Sequence, residues 1–452
     1  MNSIIAWNNQ KAITTEQFLN DVYTVADYLP DANKAINLCS NRYAFLVSFC
    51  AIIIRHQTNI LPPNQLPEII NTLIPVEDDT YCITDKAELS HSSAQTNPIP
   101  LQHKIDLKLK HDCILFPELA QPTQSHPLNI PYIAEDLICA ITYTSGSTGT
   151  PKPQFKRWRS LFNIAHKTQQ SLAQYQKGTS LTLLATVPSQ HMFGLETSIM
   201  LPLQAGHAMH DQQPFFPETI KEILTQIPGH KALITTPMHI KSCVENKLEW
   251  PPLDFILSAT APLPSSLATQ AEHLFNTSAL EIYGCSEAGT IATRQCTKNP
   301  HWNPIQGIKL NQTEHKILLT SDDFDDKIFL PDRIKIHNDG YFELLGRNEN
   351  NINIGGKRTT LEELNVHLNA IHGVVDGTFF LPDEDNQKTT RLLAFVVTDE
   401  LNSKQITKAL RLKIDALFLP RPIYIVNSLP RSATGKLPRK SLLNLLKKVT
   451  LK

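Results

Sequence analysis

The chain reads as an α/β protein built from more than one folded unit. Three observations carry that reading. Its 452 residues exceed what one hydrophobic core usually organises. Short apolar runs suited to strands alternate with stretches of helical periodicity along most of the sequence. An apolar fraction of 41% with 19% charged residues describes a globular composition, not a disordered one.

Taken in order, the first helix is announced by Thr14 and Gln17 at capping-box spacing. Phe18, Val22, Val25 and Leu29 then recur at helical intervals until Pro30 stops the run. Residues 35–39 predict a strand and 42–54 a helix. Further strands are expected at 137–144, 181–186, 232–236, 255–259 and 279–283, with a helix over 265–275 that opens just after Pro264. The longest apolar stretch, 44–54, is far short of the roughly 20 residues a membrane span needs, so it is expected to be a buried helix. The first residues lack the basic start and long apolar run of a signal peptide. Residues 84–130, rich in Gln, His, Ser and Pro, are expected to form surface structure and loops, and the acidic run 322–326 a solvated loop. No repeat of solenoid period is visible.

Lys and Arg number 42 against 43 Asp and Glu, a net charge of −1, which argues against a general nucleic-acid binder. The eight cysteines never form a C-x-x-C pair. Reduced, mostly buried thiols in a cytoplasmic protein, with no metal site among them, are expected; a secreted protein with scattered disulfides is the alternative. Segment 401–452 concentrates 12 Lys/Arg against one acid, Asp415. That suggests a smaller C-terminal unit that meets anions, or else a solvated basic face.

The most informative run is Tyr143-Thr144-Ser145-Gly146-Ser147-Thr148-Gly149-Thr150-Pro151-Lys152, directly after an expected strand. Glycines let backbone approach a phosphate closely, hydroxyls and free N–H groups supply neutral donors, and Lys152 adds a charge. The spacing is not that of a Walker A loop. Four further segments follow in order: Ser258-Ala259-Thr260-Ala261-Pro262-Leu263; Tyr283-Gly284-Cys285-Ser286-Glu287; Asp332 with Gly346-Arg347 fifteen residues on; and Leu429-Pro430-Arg431-Ser432-Ala433-Thr434-Gly435-Lys436-Leu437-Pro438-Arg439.

Together these resemble the adenylate-forming superfamily of acyl- and aryl-CoA synthetases, luciferases and nonribosomal-peptide adenylation domains. The resemblance covers most of the chain. It implies a large N-terminal AMP-binding domain (residues 1–347) of stacked αβαβα subdomains with a small β-barrel part. A small α+β C-terminal domain (residues 348–452), joined by a hinge, would carry the catalytic Lys. The implied reaction is ATP-dependent activation of a carboxylate as acyl-AMP, with release of pyrophosphate. Transfer to the phosphopantetheine thiol of CoA or of an acyl carrier protein would follow.

Adenylation sets a poor nucleophile against a phosphorus, so catalysis rests on positioning and on charge stabilisation. The resemblance assigns Thr144, Ser145, Gly146, Ser147, Thr148, Gly149 and Lys152 to the phosphates. It assigns Ser258, Ala259, Ala261 and Pro262 to the turn under the adenine. Tyr283 and Gly284 belong to the segment in which Ser286 contacts the α-phosphate and Glu287 holds Mg²⁺, a hard cation suited to a carboxylate. Asp332 would accept both ribose hydroxyls. Arg347 would lie near the same sugar and phosphate, and Arg358 would also reach the nucleotide, a solvated surface Arg being its alternative. Lys436 would bridge the substrate carboxylate and the α-phosphate. His191, in Pro188-Ser189-Gln190-His191-Met192-Phe193-Gly194, resembles an acyl-pocket residue, and a hydrogen-bonded core His is the other reading.

Two positions depart from the pattern. Glu349 stands at the hinge, where relatives commonly have Asp or Lys, and Asn353 where many have Lys. No F-D-x-S-like string offers an Asp to a substrate ammonium, so an aryl or acyl acid is expected in preference to an amino acid. The chain is short for a CoA ligase and is similar to stand-alone ligases of aryl-polyene-type pathways, which load a carrier protein. A stand-alone amino-acid adenylation enzyme and a non-catalytic acyl-adenylate-binding member remain the competing readings.

Overall fold

The computed structural model describes residues 3–8, 10–74, 79–86, 111–117, 129–144, 152–246, 248–313, 316–324, 326–347, 351–354, 357–382, 392–432 and 435–450. They divide into two units: the described residues up to 308 together with those of 321–326, and the remainder from 309 onward. The hinge expected at 347/348 falls within the second unit, and Glu349 lies outside the described residues.

The first unit opens with a hairpin, β1 (Ile4–Asn8) and β2 (Lys11–Thr14), followed by α1 (Thr15–Tyr28). Thr14 Oγ1 caps that helix by accepting from the Gln17 amide at 3.2 Å, and Phe18, Val22 and Val25 are buried along one face. Next come β3 (Lys34–Asn37), α2 (Arg42–Ile54), β4 (Thr58–Leu61), α3 (Pro67–Leu73), β5 (Thr80–Thr84), β6 (Cys113–Leu115), β7 (Ile138–Thr144), β8 (Lys152–Arg157) and α4 (Trp158–Leu172). After β9 (Thr182–Ala185) the chain makes a helical run of α5 (Met192–Gly194), a π-helical turn (Leu195–Met200) and α6 (Leu201–Ala205), then β10 (Ala208–His210) and α7 (Pro217–Gln226). β11 (Lys231–Thr235), α8 (Pro237–Glu245), β12 (Phe255–Ser258), α9 (Ser265–Phe275), β13 (Ser278–Cys285), β14 (Gly289–Arg294) and β15 (Asn303–Pro304) complete it.

These strands form two sheets. One has the order β6-β5-β3-β4-β7-β8, parallel except for β8. The other has the order β15-β14-β13-β12-β11-β9-β10-β1-β2 and is parallel from β13 through β1. Strands such as β11 and β12 are buried throughout, which is why they read as continuous apolar runs and not as alternations. α2 is apolar on every side and packs against β3 and β4 of one sheet and β10 of the other. The cluster around it joins Ile5 and Met209 to Ala35 and Ala140, so the core lies between the sheets. Each fully buried large side chain there, Phe45 and Phe49 among them, contributes about 1.5–3 kcal/mol. This is the expected layered α/β architecture. Among the described residues, no helix is long and apolar enough to cross a membrane.

The second unit starts with short antiparallel sheets where the small β part was expected. They are β16 (Lys309–Gln312), β17 (Ile317–Thr320) and β18 (Ile328–Leu330), then the hairpins β19 (Asp332–Ile336) with β20 (Phe342–Arg347) and β21 (Asn351–Ile354) with β22 (Lys357–Thr360). An α+β layer follows: α10 (Leu361–Asn369), β23 (Asp376–Phe380), β24 (Leu393–Val397), α11 (Ser403–Leu410), β25 (Ile423–Ile425) and α12 (Arg439–Thr450). Strand alternation divides its core. Phe379 faces Leu364, Ile406 and Leu410, while Phe380 and Phe395 face Leu442.

Two expectations fail. Cys113–Leu115, inside the stretch read as surface loop, is an edge strand paired with β5. Too short to show periodicity, it is recruited by an open sheet edge. The acidic run is not simply solvated. Asp323 is 3% exposed and pairs with Lys167, while Asn163 Nδ2 donates to its carboxylate at 2.9 Å. The eight cysteines form no disulfide, and five of them are buried, as expected.

Burial alone would raise the Asp323 carboxyl, but hydrogen bonds from Lys167, Asn163 and Ser321 hold it below its ordinary value of 3.8. A depressed carboxyl contributes stability above the unfolded-chain pKa and loses it as pH falls through the folded one. Asp323→Asn is therefore expected to cost about 1.5–3 kcal/mol at pH 7 in urea denaturation. The gap from wild type should close as the pH falls below 3.8; a gap independent of pH would contradict the pairing.

Candidate active site

Parallel α/β sheets bind ligands at the carboxyl ends of their strands, and Thr144, Ser258 and the Tyr283–Glu287 segment of the first unit lie at such ends. Thr144 ends β7 and Lys152 begins β8, and the two are cross-strand partners. The expected phosphate loop is thus the connection of this hairpin. Lys152 is exposed, and Ser145, Gly146, Ser147, Thr148 and Gly149 lie outside the described residues.

Ser258 ends β12 with its Oγ buried and without a hydrogen-bond partner, and the next turn carries Thr260 at φ +78°, with its Oγ1 likewise unpartnered. A β-branched residue at positive φ is strained and persists only where its surroundings over-determine it. Here the determinant is Glu281, 2% exposed on β13. Its Oε1 accepts from the Leu263 amide at 2.9 Å, and Arg294 forks onto both oxygens at 2.6 and 3.1 Å. Ala259 is buried, whereas Ala261 and Pro262 are exposed on the crest of the turn.

β13 ends in Tyr283-Gly284-Cys285 and turns through Ser286 and Glu287 into β14. The half-buried Tyr283 ring lies 5.6 Å from Trp302, over which the Arg294 guanidinium stacks at 4.3 Å. Gly284 is demanded by close approach, since a Cβ there would come within 2.3 Å of the Gly289 carbonyl oxygen. Glu287 stands exposed at the tip, while burial raises the neighbouring Cys285 thiol to about 12 and keeps it protonated. A hard cation fits this arrangement. The exposed carboxylate sits on a backbone held on both flanks, beside the Cys285 thiol that hydrogen-bonds it, and a carboxylate there is of the kind a hard cation shares with phosphate oxygens.

His191 is half-buried and caps α5, with Nδ1 accepting from the Phe193 amide at 3.3 Å. Gly194 is obligatory because a Cβ would sit 1.9 Å from the Pro188 carbonyl oxygen. The whole segment hangs on Arg42, at 1% exposure. It donates to Ser189 Oγ at 3.0 Å, to Ser198 Oγ, and to the Ala185 and Val187 carbonyls at 3.0 and 2.9 Å. Burial lowers its pKa to about 10, so it stays charged at neutral pH. His239 Nδ1 lies 3.4 Å from Thr186 Oγ1, just before this segment, and 2.9 Å from Thr236 Oγ1; burial lowers its pKa to about 4, so it is neutral.

In the second unit, Asp332 and Arg347 are register partners across β19 and β20. The fifteen-residue spacing is the length of one antiparallel hairpin. Asp332 is half-buried. Arg358 lies on β22 opposite Asn353; their side chains, like that of Arg347, lie outside the described residues. Lys436 is half-buried and follows Gly435 at φ +77° on a tight loop in which Ser432 N–H donates to the Lys436 carbonyl at 2.8 Å. Arg431 fastens that loop, donating to the Gly435 carbonyl at 2.6 Å and forking onto Asp376 at 2.7 and 2.6 Å.

Sequence reasoning missed Arg42, Lys156, Glu196, Glu281 and Asp376. Glu196 left a signal, a lone acid inside the apolar run 192–202; the others look like ordinary surface charges.

The family model for "AMP-binding enzyme" matches residues 5–328. The chain belongs to the AMP-binding enzyme family. Among curated relatives of this AMP-binding enzyme, a 4-coumarate–CoA ligase of Halorhodospira halophila is 25% identical over 306 residues, covering 65% of this chain and 73% of the relative. A D-alanine–D-alanyl carrier protein ligase of Staphylococcus haemolyticus is 23% identical over 96% of this chain and 94% of its own length. The fold is that of o-succinylbenzoate coenzyme A synthetase from Bacillus subtilis, solved in complex with AMP, at a TM-score of 0.81 and 16% identity over 98% of this chain and 95% of that one.

The bidentate Asp376–Arg431 pair should decide the rigidity of the Lys436 loop. Asp376→Ala is expected to speed amide exchange at Gly435 and Lys436 by about 10- to 100-fold while the β23–β24 ladder exchanges as before. Unchanged exchange would show that the loop holds itself.

Proposed function

We propose that this AMP-binding enzyme is an ATP-dependent acid–thiol ligase that activates an aryl or acyl carboxylate as acyl-AMP and passes it to a phosphopantetheine thiol. The observation that carries the reading is the strand-end array of the first unit. Thr144 and its cross-strand partner Lys152, the strained turn at Ser258–Leu263 and the exposed Glu287 all lie at carboxyl ends of parallel strands.

In this reading, N–H and hydroxyl groups of 144–152 and the Lys152 ammonium hold the triphosphate, with Ser286 at the α-phosphate. Tyr283 and the 258–263 turn receive the adenine, and Asp332 accepts from the ribose hydroxyls, with Arg347 and Arg358 nearby. Glu287 holds Mg²⁺, which supplies neutralisation of phosphate charge when bound. His191 and Phe193 line the acyl pocket, and the absence of a carboxylate in segment 188–194 favours an uncharged acid over an amino acid. Lys436 brings one ammonium to the carboxylate oxygen and the α-phosphate as charge develops, so that pyrophosphate leaves. The 1–347 and 348–452 division, with a hinge at Glu349, belongs to the same proposal.

For the acceptor, the stripe on α11 favours a carrier protein. Lys404, Lys408 and Arg411, spaced to share one helix face, are exposed beside Ser403 and Thr407, and none has an ion-pair partner among the described residues. Such a face complements an acidic protein surface.

Lys436→Ala is expected to lower ATP–pyrophosphate exchange by at least about 100-fold with the far-ultraviolet spectrum unchanged. The assay is run over a panel of aryl, fatty and amino acids, and exchange with amino acids alone would overturn the choice of substrate class. Lys404→Glu with Lys408→Glu should cut kcat/KM for an acidic phosphopantetheinylated carrier protein by about tenfold and leave exchange untouched. An equal loss with CoA would make the stripe a nucleotide-phosphate site instead.

A further inference from the structure

The turn that carries Glu287 is gripped from behind by two buried ionisable side chains. Lys156, on β8, is 5% exposed, and its ammonium donates to the main-chain carbonyl of Glu287 itself at 2.6 Å. Glu196, on the π-helical turn, is 4% exposed; it accepts from the Thr290 amide at 3.3 Å and from Thr290 Oγ1 at 2.9 Å. A Cβ on Gly289 would come within 2.0 Å of Glu196 Oε1, so the carboxylate lies directly on the turn backbone, and only glycine leaves it room. One grip is at residue 287 and the other at 289–290, and Glu287 itself is exposed.

We propose that Lys156 and Glu196 are positioning residues that lock the β13–β14 turn so that the Glu287 carboxylate is presented to a divalent cation in one geometry. The inference rests on the reading of Glu287 as the metal carboxylate. Burying two ionisable groups is costly, burial raising the Glu196 carboxyl to about 7, and an apolar pair of the same volume would pack the site at least as well. What apolar residues cannot do is anchor a specific carbonyl and a specific amide, leaving the metal ligand no backbone freedom to lose on binding. The two charges also sense each other: burial depresses the Lys156 ammonium, and Glu196 is the foremost of the groups that oppose this. Glu196 follows Gly194 in the helical run that begins at the proposed acyl pocket, so the clamp ties the pocket segment to the metal turn.

The test is binding of Mn²⁺ with ATP to the full chain, read from free Mn²⁺ by electron paramagnetic resonance, beside binding of ATP alone in a chelator. The difference is the metal increment. Lys156→Met is expected to weaken Mn²⁺–ATP about tenfold while metal-free ATP binding stays within about twofold. Lys156→Arg should restore most of the increment, Glu196→Gln should lose about threefold, and Glu287→Gln should abolish the increment. A wild-type increment in folded Lys156→Met, or an equal loss with metal-free ATP, overturns the proposal. Should Lys156→Met not fold, unchanged increments in both Lys156→Arg and Glu196→Gln overturn it, and a reduced increment in Glu196→Gln upholds it. A wild-type increment in Glu287→Gln would instead defeat the metal assignment itself.

Discussion

The N-terminus of α2 is the point on which the first unit depends. The helix starts where β3 ends, and its first residue, Arg42, spends its guanidinium on main-chain carbonyls at and just past the end of β9. Asn41, which caps the helix, donates to Asp211 just past the end of β10. One buried cation and one cap therefore bring the carboxyl ends of both sheets to the same place. Any ligand that exploits strand ends then finds residues from two sheets within reach, where a single sheet would offer one row. Removing a fully buried guanidinium would leave two carbonyls and two hydroxyls without a donor, a larger loss than the bonds themselves are worth.

The same device recurs at smaller scale. Glu281 pins the 258–263 turn, Lys156 and Glu196 pin the 284–290 turn, and Arg431 with Asp376 pins the loop of Lys436. In each case a charged side chain satisfies main-chain groups that the irregular backbone leaves without secondary-structure partners. The proposed chemistry needs this, because phosphoryl substitution asks little covalent work of the protein and much fixed geometry. Backbone strain sits in one such irregular segment, at Thr260, and its support, Glu281, comes from a regular strand.

Much of this was legible from local pattern. The helices at 42–54 and 265–275 match residue for residue, since the continuous apolar run 44–54 marks most of the first and Pro264 the start of the second. The inner strands agree to within one or two residues because strands buried on both faces announce themselves as short apolar runs. The order of the site segments was legible too, and the Asp332–Arg347 spacing even carried its own geometry, being one hairpin long. The supports were not. Asp323 read as part of a solvated acidic run because its partner Lys167 lies 156 residues away, and nothing near Lys156 in the sequence marks it as buried.

The resemblance thus supplied the segments of the proposed site, while local pattern alone determined the periodicities, caps and turn residues, and with them most of the elements and their order. These depend on neighbours within a few positions along the chain. Tertiary structure alone decided which charges became buried. Whether a lysine is solvated or clamps a carbonyl depends on which distant backbone arrives beside it. A side chain's identity states its charge, but only the folded surroundings set the cost of desolvating it and the partners that offset that cost.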